Sequence, residues 1–203
     1  MACTVTVHDH VGRERLAAAV EPLDPDGAVA LFEAAIAEAA RAALGNGRDV
    51  EVELTLCADG EMQRLNFDHM GERGPTDVLG FPLHEWEVED GRSHLADDDG
   101  AGPLAPFGSP GRPLLLGDVV VDLDQAVRQA AEGGWSVVEE VVLLAIHGTL
   151  HLLGHDHAEL ADEEEMRAVE RRVLASLHRR HREVKWRPGS LFDRAGHAVS
   201  SGA

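Results

Sequence analysis

The sequence predicts an α+β or mixed α/β domain: a small sheet of about four strands with helices packed on it. Two observations predict this class. Short runs of strand-like composition alternate with longer segments of helical periodicity, so strands and helices interleave along the chain. The helical segments then cluster at the C-terminal end, where an apolar helix is available to pack on the sheet.

Each element has its own local reason. TVTVH at 4–8 is a short strand, and Asp26 to Leu44 is an alanine-rich amphipathic helix stopped by Gly45. DVEVELTLC at 49–57 alternates polar and apolar side chains as a half-buried strand does, and a helix follows from Asp59 to Met70. TDVLGFPL at 76–83 and LLLGDVVVDL at 114–123 are two further apolar strands. The segment between them, 84–113, is rich in Gly, Pro and acid and reads as an acidic mobile loop. Asp122 or Asp124 opens a helix through Glu132, which Gly133 and Gly134 break. Ser136, with Glu139 three positions on, is a capping-box start for the run SVVEEVVLLAI. The last helix spans Glu159 to His181. Residues 1–183 therefore form one domain and 184–203 read as a disordered tail.

Composition narrows the function. With 203 residues, 44% of them hydrophobic, the chain can bury one core. MACTVTVHDH does not have the pattern of a signal peptide, and no apolar run approaches the roughly 18 residues of a membrane span. Cys3 and Cys57 fall in strands without CxxC spacing, which suits buried thiols in a reducing cytoplasm. A net charge of −19 argues against a generally basic nucleic-acid surface, so any RNA contact must be local. Acid concentrates at Glu85–Asp99 and at Asp162–Glu165, the latter complementing a helix N-terminus. Opposing it, Arg167, Arg171, Arg172, Arg179, Arg180, Arg182, Lys185 and Arg187 form either a solvated face or a phosphate-contacting patch.

The chemistry concentrates in HGTLHLLGHDH at 147–157. His147 and His151, one helical turn apart, project from one face, and Gly154 permits the positive φ that lets His157 return to the same point. Three neutral imidazoles leave a fourth tetrahedral position open, as in catalytic zinc sites. The spacing matches the metzincin pattern HExxHxxGxxH except that Gly148 stands where the general-base glutamate belongs, so a peptidase would need another base. Asp156 is a candidate to orient a ligand histidine or to accept a proton. Asp118 and Asp77 occupy strand positions that can face a cleft or satisfy local backbone donors. His155 is either a substrate contact or an exposed filler.

HGTLHLLGHDH, together with GPTDVLGFP at 74–82 and LGDVVV at 116–121, resembles the YbeY family of bacterial rRNA-maturation endoribonucleases, in order from the first strand to Leu177. The resemblance implies a small α/β fold and one zinc per chain held by His147, His151 and His157. It also implies cleavage of single-stranded rRNA in small-subunit (16S) 3′-end maturation and ribosome quality control. The partners would be the ribosomal small subunit or its precursor, with neither DNA nor a membrane. The chain departs from the family pattern at Met70, where an arginine is usual, and at Gly80, where a serine is usual, a change readable as a backbone adjustment. Arg73, three residues beyond Met70, is either a replacement for the phosphate contact or, as is more usual, a solvent-exposed loop arginine. A non-catalytic, zinc-stabilised assembly factor and a metalloprotease are the rival classes.

Overall fold

A computed structural model describes residues 2–45, 49–95, 112–156, 160–182, 184 and 186. The elements are β1 (Cys3–Asp9), α1 (Arg13–Ala19), α2 (Pro25–Leu44), β2 (Val50–Cys57), α3 (Asp59–Met70), β3 (Val78–Pro82), β4 (Trp86–Glu89), β5 (Arg92–Leu95), β6 (Leu114–Asp122), α4 (Leu123–Gly133), α5 (Val137–Leu152) and α6 (Leu160–Arg180). The main sheet has the order β1-β2-β6-β3. Its first three strands are parallel, and β3 runs antiparallel to β6, with Gly80 opposite Val119. This is the predicted mixed α/β class.

The pleat divides the sheet into two faces. Val50, Val52, Leu54, Val119 and Val121 face the main core, which α2, α5 and α6 complete. Cys57, Leu79 and Val120 form a smaller apolar cluster with Met62 of α3. Thirteen residues of α5 are buried, among them Glu139, Glu140 and His147, so α5 is a core helix flanked by β3 and β6 and by α2. A helix apolar on all sides is stable only in such a place.

The structure departs from the sequence expectations in three places. Within 84–113, β4 and β5 form a hairpin over 86–95 rather than a loop, with Asp90 at φ 49 and Gly91 at φ 68 in the turn. The signal was local: WEVE alternates half-buried and exposed residues before an Asp-Gly pair, the sequence of a type I′ turn. Residues 96–111 of that segment lie outside the described residues. Helix α1 was not expected; it is seven residues long and buries only Leu16, too little for a periodic signal. Of the expected tail only residues 184 and 186 are described, the rest lying outside the described residues; Val184 is buried and Trp186 stacks on His178 at 4.4 Å, while its indole N–H donates to the His181 carbonyl at 2.9 Å. Both thiols are free, and burial pushes Cys3 up to about 11 and Cys57 up to about 12, so neither is poised as a nucleophile.

Candidate metal centre

The centre starts at the beginning of α5. The Ser136 hydroxyl accepts from the Glu139 N–H at 3.2 Å, and the Glu139 carboxylate accepts from the Ser136 N–H at 2.9 Å, so the capping box is complete. The cap starts the helix whose third and fourth turns carry His147 and His151 on one side. Their Nε2 atoms converge to 3.0 Å, with ring planes at 82°. Two nitrogens bound to one tetrahedral zinc at about 2.0–2.1 Å would stand about 3.3 Å apart, so the pair fits such an ion after a few tenths of an ångström of opening.

The helix ends as the glycine suggested. The Gly154 N–H donates to the His151 carbonyl at 3.1 Å, and the His155 N–H donates to the Leu150 carbonyl at 3.1 Å, with Gly154 at φ 83. These two bonds make a Schellman motif, which reverses the chain direction just past the histidines. A Cβ on Gly154 would sit 2.6 Å from Trp86 Cβ, so the glycine also admits the β4–β5 hairpin beside the turn. His157, the third expected ligand, lies outside the described residues.

Two features of the site were not legible from spacing. His147 Nδ1 lies 2.8 Å from Glu170 Oε1 on α6, with the two side chains 9% and 14% exposed. Nothing in the sequence separates Glu170 from the other acids of α6; only the packing of Met166, Val169 and Val173 turns it toward α5. The second feature is Gly148. A Cβ there would meet Val119 Cγ1 at 2.6 Å and Val78 Cγ2 at 3.1 Å. The position that carries glutamate in the metzincin pattern therefore points into the sheet and has no space for a side chain.

The remaining candidates have surroundings of their own. Asp118 faces away from α5: its neighbour Val119 meets Gly148, whereas Val120, two residues on, belongs to the α3 cluster. Burial and the facing Glu53 raise the Asp118 pKa. Asp77 is buried and structural; it accepts from the Val78 N–H and from the Gln129 amide, each at 2.9 Å. His155 is 3% exposed rather than a surface filler, and burial lowers its pKa. Asp156 and Arg73 are exposed. Met70 is half-buried against the Cys57–Met62–Leu79–Val120 cluster. Gly80 has no positive φ, and a Cβ there would make only ordinary contacts of 3.5 Å and more, so the backbone-adjustment reading finds no support and a side chain fits.

Among the described residues, Asp59, Asp122 and Asp124 also place carboxylate oxygens within 4.8 Å of one another, at the C-terminal ends of β2 and β6. Their surroundings account for them. Asp122 caps α4 through the N–H groups of Asp124 and Gln125 at 2.9 and 3.2 Å. Arg128 grips Asp59 with bonds of 2.8 and 2.6 Å, and Arg15 pairs with Asp124. Burial lifts Asp122 from 3.8 to about 7, with Asp59 beside it adding to the shift. Between those two values the folded protein holds a proton that the unfolded chain has released, so the stability this proton supplies is full below pH 3.8 and is lost as pH rises to 7. Asp122→Asn keeps a capping oxygen without the charge. It is expected to equal the parent near pH 4 and to exceed it at pH 8 by roughly 1–3 kcal/mol. Urea unfolding at the two pH values checks this; a difference independent of pH would refute it.

The fold and site define an α/β protein whose buried core helix offers paired imidazoles at one point and lacks the protease glutamate. The family model described as Endoribonuclease YbeY matches residues 22–178, and the chain belongs to that family. Among its relatives, Endoribonuclease YbeY of Salinispora tropica is 40% identical over 154 residues, which is 76% of this chain and 88% of that protein. The Endoribonuclease YbeY of Moorella thermoacetica is 39% identical over 143 residues, covering 70% and 82%. The solution structure of TM1509 from Thermotoga maritima aligns over 92% of this chain and 98% of its own, at 21% identity and a TM-score of 0.45.

Proposed function

We propose that the chain is a zinc-dependent endoribonuclease that cleaves single-stranded RNA during small-subunit rRNA 3′-end maturation and ribosome quality control in the cytoplasm. The observation that carries the reading is the convergence of the His147 and His151 Nε2 atoms on the core helix of a member of this family. No single helix among the described residues is long and apolar enough to cross a membrane.

His147, His151 and His157 would hold the ion, which supplies Lewis acidity to a phosphoryl oxygen and to water. The chain's own contribution is positional. Helix α5, anchored in the core, fixes two imidazoles before any ligand arrives, and the turn at Gly154 ends the helix just past them. The net charge of −19 repels RNA at long range, so recognition depends on local cations, of which exposed Arg73 in the loop after α3 is one.

A second reading, a zinc-stabilised assembly factor without catalysis, draws on Met70. This residue packs on the α3 cluster, where the resemblance implies an arginine, and so brings no cation to the substrate. Peptidase activity is disfavoured by the lack of space at Gly148.

The test is cleavage of an RNA carrying the small-subunit 3′ precursor, presented single-stranded and as a duplex, with zinc removed and restored. Cutting of the single strand alone, lost on chelation and regained with zinc, is the expected result. Folded, zinc-loaded protein that binds precursor particles but cuts nothing would transfer the conclusion to the assembly factor.

A further inference from the structure

We propose that Glu170 is the positioning residue of the centre: its carboxylate holds the Nδ1 proton of His147 and so presents the Nε2 lone pair to the metal. The proposal rests on the zinc reading above.

The geometry gives the reason. A neutral imidazole carries its proton on one nitrogen and a lone pair on the other, and only the lone pair can bind a cation. Glu170 Oε1 stands 2.8 Å from His147 Nδ1, and a carboxylate oxygen there accepts a proton donated by Nδ1. The lone pair is then on Nε2, the atom 3.0 Å from His151 Nε2. Because the two side chains are only 9% and 14% exposed, water competes weakly for this bond. A carboxylate at this distance also raises the basicity of the ligand and offsets part of the charge of a divalent ion held by neutral imidazoles.

The carboxylate is held in place by the packing of its helix. Val169 and Val173, on either side of Glu170, are 2% and 1% exposed. Farther along α6, the Ser176 hydroxyl donates to Glu38 of α2 at 2.9 Å, and Arg180 pairs with the same carboxylate. The Arg172 guanidinium donates to the Ala42 carbonyl at 3.2 Å. Two packed helices thus set the position of Glu170, whereas Asp156, inside the histidine motif, is exposed.

The experiment compares Glu170→Ala and Glu170→Gln with the intact protein by two readouts: zinc affinity from chelator competition, and the His147 tautomer from imidazole nitrogen-15 shifts in metal-free protein. The amide oxygen of Gln can accept the same proton, so it separates hydrogen bonding from charge and serves as the folded control. Glu170→Ala is expected to weaken zinc binding roughly 10- to 100-fold and to lose the preference for the Nδ1–H form. Glu170→Gln should retain that preference and most of the affinity. An alanine variant with unchanged affinity and an unchanged tautomer would overturn the proposal. So would a glutamine variant that behaves as alanine does in the tautomer measurement. If His151→Ala left zinc binding intact, the zinc reading itself would fail, while the tautomer in metal-free protein would still decide the role of Glu170.

Discussion

Replacing His151 with alanine is expected to abolish tight zinc binding and to lower RNA cleavage at least about a thousandfold, while leaving the fold in place. His151 supplies one of the two described Nε2 atoms that meet at 3.0 Å, and without it the proposed ion would lose one of its expected ligands. Lewis-acid assistance is worth several kcal/mol in the transition state, and each 1.36 kcal/mol is about tenfold in rate. The imidazole is only half-buried, so its removal leaves no sealed cavity in the core. Zinc content, thermal unfolding and single-strand cleavage measured on one preparation separate these effects. Undiminished, chelator-sensitive cutting by folded His151→Ala protein would refute the assignment of the ligand.

Restoring the protease glutamate, Gly148→Glu, is expected to unfold the protein rather than to create a peptidase. A Cβ at 148 already stands 2.6 Å from Val119 Cγ1, so any side chain drives α5 away from β6. Overpacking of this kind costs about 1–3 kcal/mol, and a carboxylate forced into the apolar layer adds several more. Against a typical margin of about 5–15 kcal/mol, the sum removes most of the stability. Gly148→Ala should be milder, because up to about 1 kcal/mol of helix propensity offsets part of the same clash. Urea unfolding of the two variants gives the ordering, with glutamate far below alanine and alanine modestly below the parent. A well-folded Gly148→Glu protein that digests unstructured polypeptide would show that the glycine is a matter of lineage and not of packing.

The gain expected for Asp122→Asn at high pH belongs to a different part of the molecule, which allows the two kinds of defect to be told apart. A lesion at the α4 cap is expected to change stability with pH and to spare zinc binding, and a lesion at His151 to do the reverse.

Local physical chemistry carried much of the fold into the sequence. The alternation of 49–57 and the bounds of Asp59–Met70 reappear as β2 and α3, and Ser136 with Glu139 caps α5 as their spacing requires. Gly154 ends the helix with positive φ, and His147 and His151 share a face because four residues make about one turn. Such features depend on neighbours within a turn or two, so a linear reading finds them. The hairpin at 86–95 was legible in the same way but was masked by the acidity of its surroundings, since Glu87 and Glu89 occupy the exposed positions of β4.

What only the tertiary structure decided involves pairs of residues distant in sequence. That Asp118 lies on the sheet face opposite α5, that Met70 is absorbed into an apolar cluster, and that Gly148 presses on Val119 all depend on which strand lies under which helix. Glu170 is the clearest case: it is 23 residues from His147, and one acid among several on its helix. The histidine spacing by itself put His147 and His151 on one side of α5. The docking of α6 against α5 decided that Glu170 stands beside Nδ1 of His147, because hydrogen bonding across a helix interface depends on the side chains that packing brings within about 3 Å, whatever their separation along the chain.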